Sequence, residues 1–148
     1  MKRYMEKGSE KSAKASVEGV NASYKQLSAV CDNVRGMEVE NALNFLENAA
    51  LGNQIIKFKK HNKRMAHRKE LGGQKGRWPK KASKIILQVL KNAKANADAK
   101  GLLNPFVYHI AANKQKKYQR VAPRGKTMMA NYETAFVEII LEEKIWGY

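Results

Sequence analysis

One cysteine, three prolines and no apolar run approaching the roughly twenty residues that span a bilayer set the first limits on this 148-residue chain. With Cys31 alone, an internal disulfide is excluded, and its position within a helical apolar pattern makes it a small core residue. Neither Cys-x-x-Cys nor His-Glu-x-x-His occurs, and His61, His67 and His109 have no metal spacing with Cys31, so no metal is expected. Gly72, Gly73 and Gly76 fall in a basic stretch that follows no strand and lacks the Gly-x-x-x-x-Gly-Lys-Ser/Thr pattern, so no nucleotide site or other cofactor is expected. Acid is scarce beside base: 13 Asp and Glu stand against 29 Lys and Arg. Those few carboxylates gather at helix starts and at Glu142-Glu143, and Glu38 and Glu40, two apart on a helix, point different ways. No acid/base pair is left for catalysis, and no small-molecule substrate is implied. His109, among apolar neighbours, reads as a hydrogen-bonded structural histidine or a backbone contact in preference to a general base.

What is present is positive charge. A formal net charge of +16 exceeds what solubility asks for and calls for a polyanionic partner, either nucleic acid or an anionic membrane. The main amphipathic helix needs its apolar stripe for the core, so it cannot lie on a bilayer, and nucleic acid is favoured. The N-terminal MKRYMEKGSEKSAK is basic without the apolar segment and cleavage site of a secretory signal, which gives the expectation of a cytoplasmic protein.

The length fits one domain, residues 14–148, after a basic extension over residues 1–13 that is expected to lie on a partner or stay mobile. Residues 14–20 read as a strand. Ser23 and Gln26 form a capping box before a helix from Tyr24 to Arg35, which Gly36 stops. A second helix carries Val39, Ala42, Leu43, Leu46, Ala49 and Ala50 on one stripe and ends at Gly52. Residues 51–78 form a basic insertion whose segment Ile55 to Gly76 has no sustained apolar period. It holds Lys57, Lys59, Lys60, Lys63, Arg64, Arg68, Lys69 and Lys75 against the single acid Glu70, and reads as a loop ordered by phosphate or, alternatively, a floppy basic linker.

A third helix is expected from Pro79, suited to a first turn, to Lys100, with Gly101 as its left-handed stop. Ala82, Ile85, Ile86, Val89, Leu90, Ala93 and Ala97 make its buried stripe, and Lys81, Lys84, Gln88 and Lys91 a second row that faces either solvent or the polyanion. Trp78, just before it, could stack on a base or close the core. Strands follow at Phe106–Ala112 and 135–144. Between them, residues 113–134 read as a hairpin arm with a turn at Pro123-Arg124-Gly125. Such an arm cannot bury its own surface and must lodge in something. The order strand, three helices, two strands gives an α+β fold: a small antiparallel three-stranded sheet packed on three helices, with a long β-hairpin arm.

GRWPKKASKIILQVLKNAKANADAKGL (Gly76 to Leu102), VRGMEVENALNFL (Val34 to Leu46) and YHIAANK (Tyr108 to Lys114) resemble the universal large-subunit ribosomal protein family called L twenty-two in bacteria and L seventeen in eukaryotes. The resemblance spans roughly residues 14–144, and the insertion from Leu51 to Lys75 is similar to the archaeal and eukaryotic branch. A chain stopping at Tyr148, without a long basic tail, fits an archaeal or reduced eukaryotic source. The resemblance implies a structural, non-enzymatic protein of the large ribosomal subunit. Its globular domain would sit near the polypeptide exit, and its hairpin would thread between ribosomal RNA helices beside another ribosomal protein, L four.

The RNA-binding residues expected on this reading are Lys57, Lys59, Lys60, Lys63, Arg64, Arg68, Lys75, Arg77, Trp78, Lys80, Lys81 and Lys84 from insertion and helix, and Lys114, Lys116, Lys117, Arg120, Arg124 and Lys126 from the arm. The resemblance further implies a tunnel-facing tip at Gln119, Val121, Ala122, Pro123, Arg124 and Gly125, within reach of nascent polypeptide. Gly125-Lys126-Thr127-Met128 replaces the family's usual tip pattern with its Gly-Arg pair. The free arm, Lys114 to Asn131, is expected to be mobile and to order on RNA. A nonspecific DNA-binding or chromatin protein would share the charge, but the lysine row lacks the base readers of a recognition helix. An RNA-processing enzyme would need the acid, base or metal set that is missing.

Overall fold

The longest strands decide the architecture. In the computed structural model, which describes Tyr4, Glu6, Gly8, Ser9 and residues 11–143, β5 runs over Pro105–Tyr118 and β6 over Tyr132–Glu143. They pair antiparallel from Pro105 opposite Glu143 to Tyr118 opposite Tyr132. β1 (Ser12–Val20) adds to the other edge of β6, giving a sheet in the order β1-β6-β5. The central strand is buried on both faces: Ala135, Val137, Ile139 and Leu141 join the helix-side core, and the alternating Glu138 and Ile140 are buried too.

Three helices cover one face: α1 (Tyr24–Val34), α2 (Val39–Leu51) and α3 (Lys80–Ala99). Leu27, Val30 and Val34 of α1, Ala42 and Leu46 of α2, and Ile86, Leu90 and Ala93 of α3 are fully buried. Cys31 lies among them, and burial, with the Asp32 carboxylate beside it, pushes its thiol up to about 12. α3 starts after Pro79, whose carbonyl accepts from the buried Ser83 hydroxyl at 3.1 Å. It ends in a Schellman turn: Leu102 N–H donates to Ala97 O at 3.1 Å, Gly101 N–H to Asp98 O at 3.0 Å, and Gly101 takes φ 67. Asn96 and Lys100 then donate to the Lys14 and Ser12 carbonyls, fixing the helix end to β1.

Several expectations need correction. β1 begins at Ser12, two residues before the expected start at Lys14. Ser23 is the α1 N-cap, but its side chain makes no capping bond; its carbonyl alone accepts from Gln26 and Leu27. In α3, Ser83 is buried and Ile85, beside Ser16 and Val17 of β1, is only half-buried. The described part of the N-terminal extension packs on this chain's own sheet. Ser9 N–H donates to Glu142 at 2.7 Å, Glu6 reaches His109 at 3.5 Å and Tyr4 lies 3.5 Å from the Ser16 hydroxyl. Residues 1–3, 5, 7 and 10 of that extension, and Lys144 of the last expected strand, lie outside the described residues.

The largest departure is the insertion. Its β2 (Ile56–Lys57), β3 (His67–Arg68) and β4 (Gln74–Arg77) form a second antiparallel sheet in the order β2-β4-β3. Four apolar side chains spread through a basic stretch, Ile55, Ile56, Phe58 and Met65, are buried beneath it. They are too irregularly spaced to read as a helix or a strand, which is why the segment passes for a loop; in the fold these apolar anchors hold it against the body. Gly76 sits at the tightest point, where an added Cβ would lie 2.5 Å from Leu71 Cδ1, 2.7 Å from Ile55 Cγ2 and 3.0 Å from the Ile56 carbonyl. Gly76→Ala is therefore expected to destabilise the protein by about 1–3 kcal/mol through overpacking. Thermal unfolding measures it: the melting point should fall by several degrees, while Gln74→Ala in the same strand should leave it unchanged.

Candidate nucleic-acid interface

The insertion sheet turns its apolar side chains inward and leaves its cations outside. Lys59, Lys60, Lys63 and Arg64 are exposed on the loop between Phe58 and Met65, both buried, where His61 and Arg64 take left-handed φ of 53 and 58. The loop is tied to α1: Asn33 Nδ2 donates to Lys57 O at 2.8 Å, and His61 meets the Tyr24 ring edge-on at 5.8 Å. Lys57, Lys75 and Arg68 are half-buried, and Arg77 is exposed. Arg68 donates through Nε to Gly76 O at 3.2 Å and lays its guanidinium 4.7 Å from the Trp78 ring centre. Trp78 thus neither closes the core nor stands free. It is 39% exposed, with Arg68 stacked on it.

Lys80, Lys81 and Lys84 are exposed at the start of α3, and the Lys80 stem lies against Gly52, so close that a Cβ there would collide with Cε. The row they begin does not continue as expected. Lys91 is bound to Glu47 of α2 at 3.0 Å, so its charge is already answered within the fold.

The arm is the other half of the surface. Its root belongs to the core ladder: Gly19 N–H donates to Gln115 Oε1 at 2.7 Å, Lys116 N–H to Thr134 Oγ1 at 3.3 Å, and Tyr118 and Tyr132 pack with ring centres 5.7 Å apart. Pairing to Tyr118 extends the expected strand by six residues, because alternation of polar side chains on an exposed two-stranded ribbon carries no apolar signal. Lys114 is held by Glu133 and lies over the Tyr24 ring, and its hydrogen bond keeps the Glu133 carboxyl below the usual range. Lys116, Lys117, Arg120, Arg124 and Lys126 are exposed. At the tip, Ala122 N–H donates to Lys126 O at 2.7 Å and Met128 N–H to Arg120 O at 2.9 Å, closing a turn in which Arg124 and Gly125 take φ of 67 and 77. Gln119 and Pro123 are exposed there and Ala122 is half-buried. The same tip bares Val121, Met128 and Met129, the last 99% exposed. The methionines escape the sequence reading, since nothing in a charged turn marks a neighbouring apolar pair.

Apart from Glu133 on the arm and Glu70 in the insertion, the carboxylates lie elsewhere. Glu38, Glu40 and Asp98, with Lys94, line a cleft at the end of β5 remote from the arm. His109 is hydrogen-bonded, with Nε2 3.3 Å from the buried Glu138 and Nδ1 3.5 Å from Glu6. Among the described residues no cluster of His, Cys, Asp and Glu could hold a metal, and no helix is long and apolar enough to cross a membrane. The arrangement suits the neutralising of a phosphate backbone by cations held on two separate projections.

The family model described as ribosomal protein L22p/L17e matches residues 15–142. The chain is also similar to the "Large ribosomal subunit protein uL22" of three archaea. Identity to that of Methanocaldococcus jannaschii is 37% over 139 residues, covering 90% of this chain and 89% of the relative. For Methanopyrus kandleri it is 37% over 141 residues, covering 91% and 89%. For Sulfurisphaera tokodaii it is 38% over 141 residues, covering 90% of each.

The split in the lysine row is testable with polyuridylate. Lys84→Gln should reduce the salt slope of binding by about one, as a lost phosphate contact does, whereas Lys91→Gln should leave the slope unchanged and cost at most about 1 kcal/mol in stability.

Proposed function

The chain belongs to the ribosomal protein L22p/L17e family, and from that premise we propose that it is a structural constituent of the large ribosomal subunit that binds ribosomal RNA and extends its hairpin towards the polypeptide exit tunnel. The observation that carries the reading is the arm. Residues 113–134 hold six cations, Lys114, Lys116, Lys117, Arg120, Arg124 and Lys126, against Glu133 alone, on a ribbon that leaves the body and buries almost nothing. A chain cannot hold such a ribbon out for its own stability, and RNA supplies both the countercharge and the walls. A-form helices hide their base edges in a deep narrow groove, so the cations would follow backbone shape and unstacked bases, with little sequence readout.

In this reading the insertion cations and the start of α3 anchor the body on RNA, beside neighbouring large-subunit proteins, in the cytoplasmic ribosome. The tip at Gln119, Val121, Ala122, Pro123, Arg124 and Gly125 would face nascent polypeptide, and the exposed Met128 and Met129 add soft apolar surface there. No reaction, cofactor or metal is assigned. The uL22 names of the archaeal relatives and their near-complete coverage support the subunit assignment over a DNA-binding role.

Gradient sedimentation of a cell extract tests it. The protein should travel with large subunits through a high-salt wash, and its absence from washed subunits would overturn the proposal.

A further inference from the structure

The face of the main sheet turned away from the helices is covered by the chain's own N-terminal segment. Through strand pairing, Lys14 and Ser16 of β1, Glu138 and Ile140 of β6, and His109 and Ala111 of β5 share that face. The segment is pinned at one end: Ser9 N–H donates to Glu142 Oε1 at 2.7 Å, and the Ser12 hydroxyl donates to Ser9 O at 2.7 Å. Gly8 lies so close to the sheet that a Cβ would stand 3.0 Å from Ser12 Oγ and 3.1 Å from Ile140 Cγ2. Beyond it, Glu6 meets His109, and the Tyr4 hydroxyl lies 3.5 Å from that of Ser16, with the Lys14 ammonium 5.5 Å from the Tyr4 ring centre.

His109 joins this cover to the sheet beneath. Its Nε2 is 3.3 Å from Oε1 of Glu138, which is 1% exposed, and its Nδ1 is 3.5 Å from Oε2 of Glu6, which is 48% exposed. An ionised carboxylate only accepts hydrogen bonds, and a neutral imidazole has one N–H to give. Both contacts are therefore satisfied by an imidazolium, whereas a neutral ring turns a lone pair on one of the two carboxylates. Glu138 is fixed on the central strand, so the contact given up is the one to Glu6. Among the described residues, Glu142, Lys14 and Tyr4 are the other charged or titratable groups on this face. Glu142 is engaged by Ser9, and Lys14 lies over the Tyr4 ring. The Tyr4 contacts alone hold less firmly than a charge-assisted hydrogen bond.

We propose that His109 is a pH-sensitive latch for the N-terminal segment. Protonated, it ties Glu6 to the buried Glu138 and keeps the segment on the sheet. Deprotonated, it keeps Glu138 and lets go of Glu6, so that Tyr4, Glu6 and Gly8 swing away about Ser9 and bare Ile140. The sign follows from the count of donors: the latch is closed on the acid side of the His109 titration and opens as pH rises through it. None of its residues belongs to the cationic surface, so the inference stands apart from the RNA reading.

Nuclear magnetic resonance of the full chain reads both halves of the latch. The His109 ring C–H resonances report its protonation, and backbone nitrogen relaxation reports the order of Glu6 and Gly8. As pH rises, their order parameters should fall from about 0.85 to below about 0.6 with the midpoint of the His109 titration, while Ser9 stays with the body. Glu6→Gln, on a half-exposed side chain outside the core, supplies the control. Its amide can accept from an imidazolium or donate to a neutral ring, so no step in the order of Gly8 should accompany the His109 titration in that variant. Equal order on both sides of the titration in the wild type overturns the latch, and so does an unchanged step in Glu6→Gln. A ring that does not titrate while the chain stays folded overturns it as well, since nothing would then switch.

Discussion

The pairing of β5 with β6 is the interaction on which the rest of the structure depends, because one ladder serves as both the core of the body and the root of the arm. At its inner end Val107, Ile110, Val137, Ile139 and Leu141 are fully buried against the helices. At its outer end the same two strands carry Lys114, Lys116 and Lys117 into solvent, still in register to Tyr118 and Tyr132. β5 alone is 14 residues long, which at about 3.3 Å per residue reaches about 46 Å. An isolated two-stranded ribbon is marginal in water, so the arm's direction is set by the part that is not isolated.

Charge follows that axis. Glu38, Glu40 and Asp98 gather about the end where Pro105 meets Glu143, and the cations of the arm occupy the other. The insertion and the start of α3 add a second cationic projection, held by apolar anchors beneath it and by Asn33 reaching across from α1. On the proposed function, this separation would steer an RNA backbone toward the two cationic projections and away from the end where the acids gather.

Much of this was legible in the residues. The three-and-four spacing of Ala82, Ile86, Val89, Leu90 and Ala93, the proline start and the glycine stop specify α3 to within a residue at each end. Gly36 and Gly52 mark where α1 and α2 finish, and both take positive φ. What was not legible has two physical causes. Short strands such as β2 and β3, of two residues each, are too brief to show a period, so their burial comes from contacts that only the fold creates. Exposed ribbons are polar on both faces, so the extension of β5 to Tyr118 left no alternation to read. Partnering is equally invisible in one dimension: nothing in the row of Lys81, Lys84 and Lys91 shows that the last is claimed by Glu47, 44 positions earlier, or that Arg68 covers Trp78.

The central claim is that the arm is a rigid root bearing a tip that RNA must order. Backbone nitrogen relaxation of the isolated full chain and of its complex with large-subunit ribosomal RNA fragments tests this most directly. The account predicts that Asn113–Tyr118 and Tyr132–Thr134 relax with the body in both states, while residues 119–131 show large fast motion in the free chain and lose it in the complex. A tip as rigid as the body before RNA is added would contradict it.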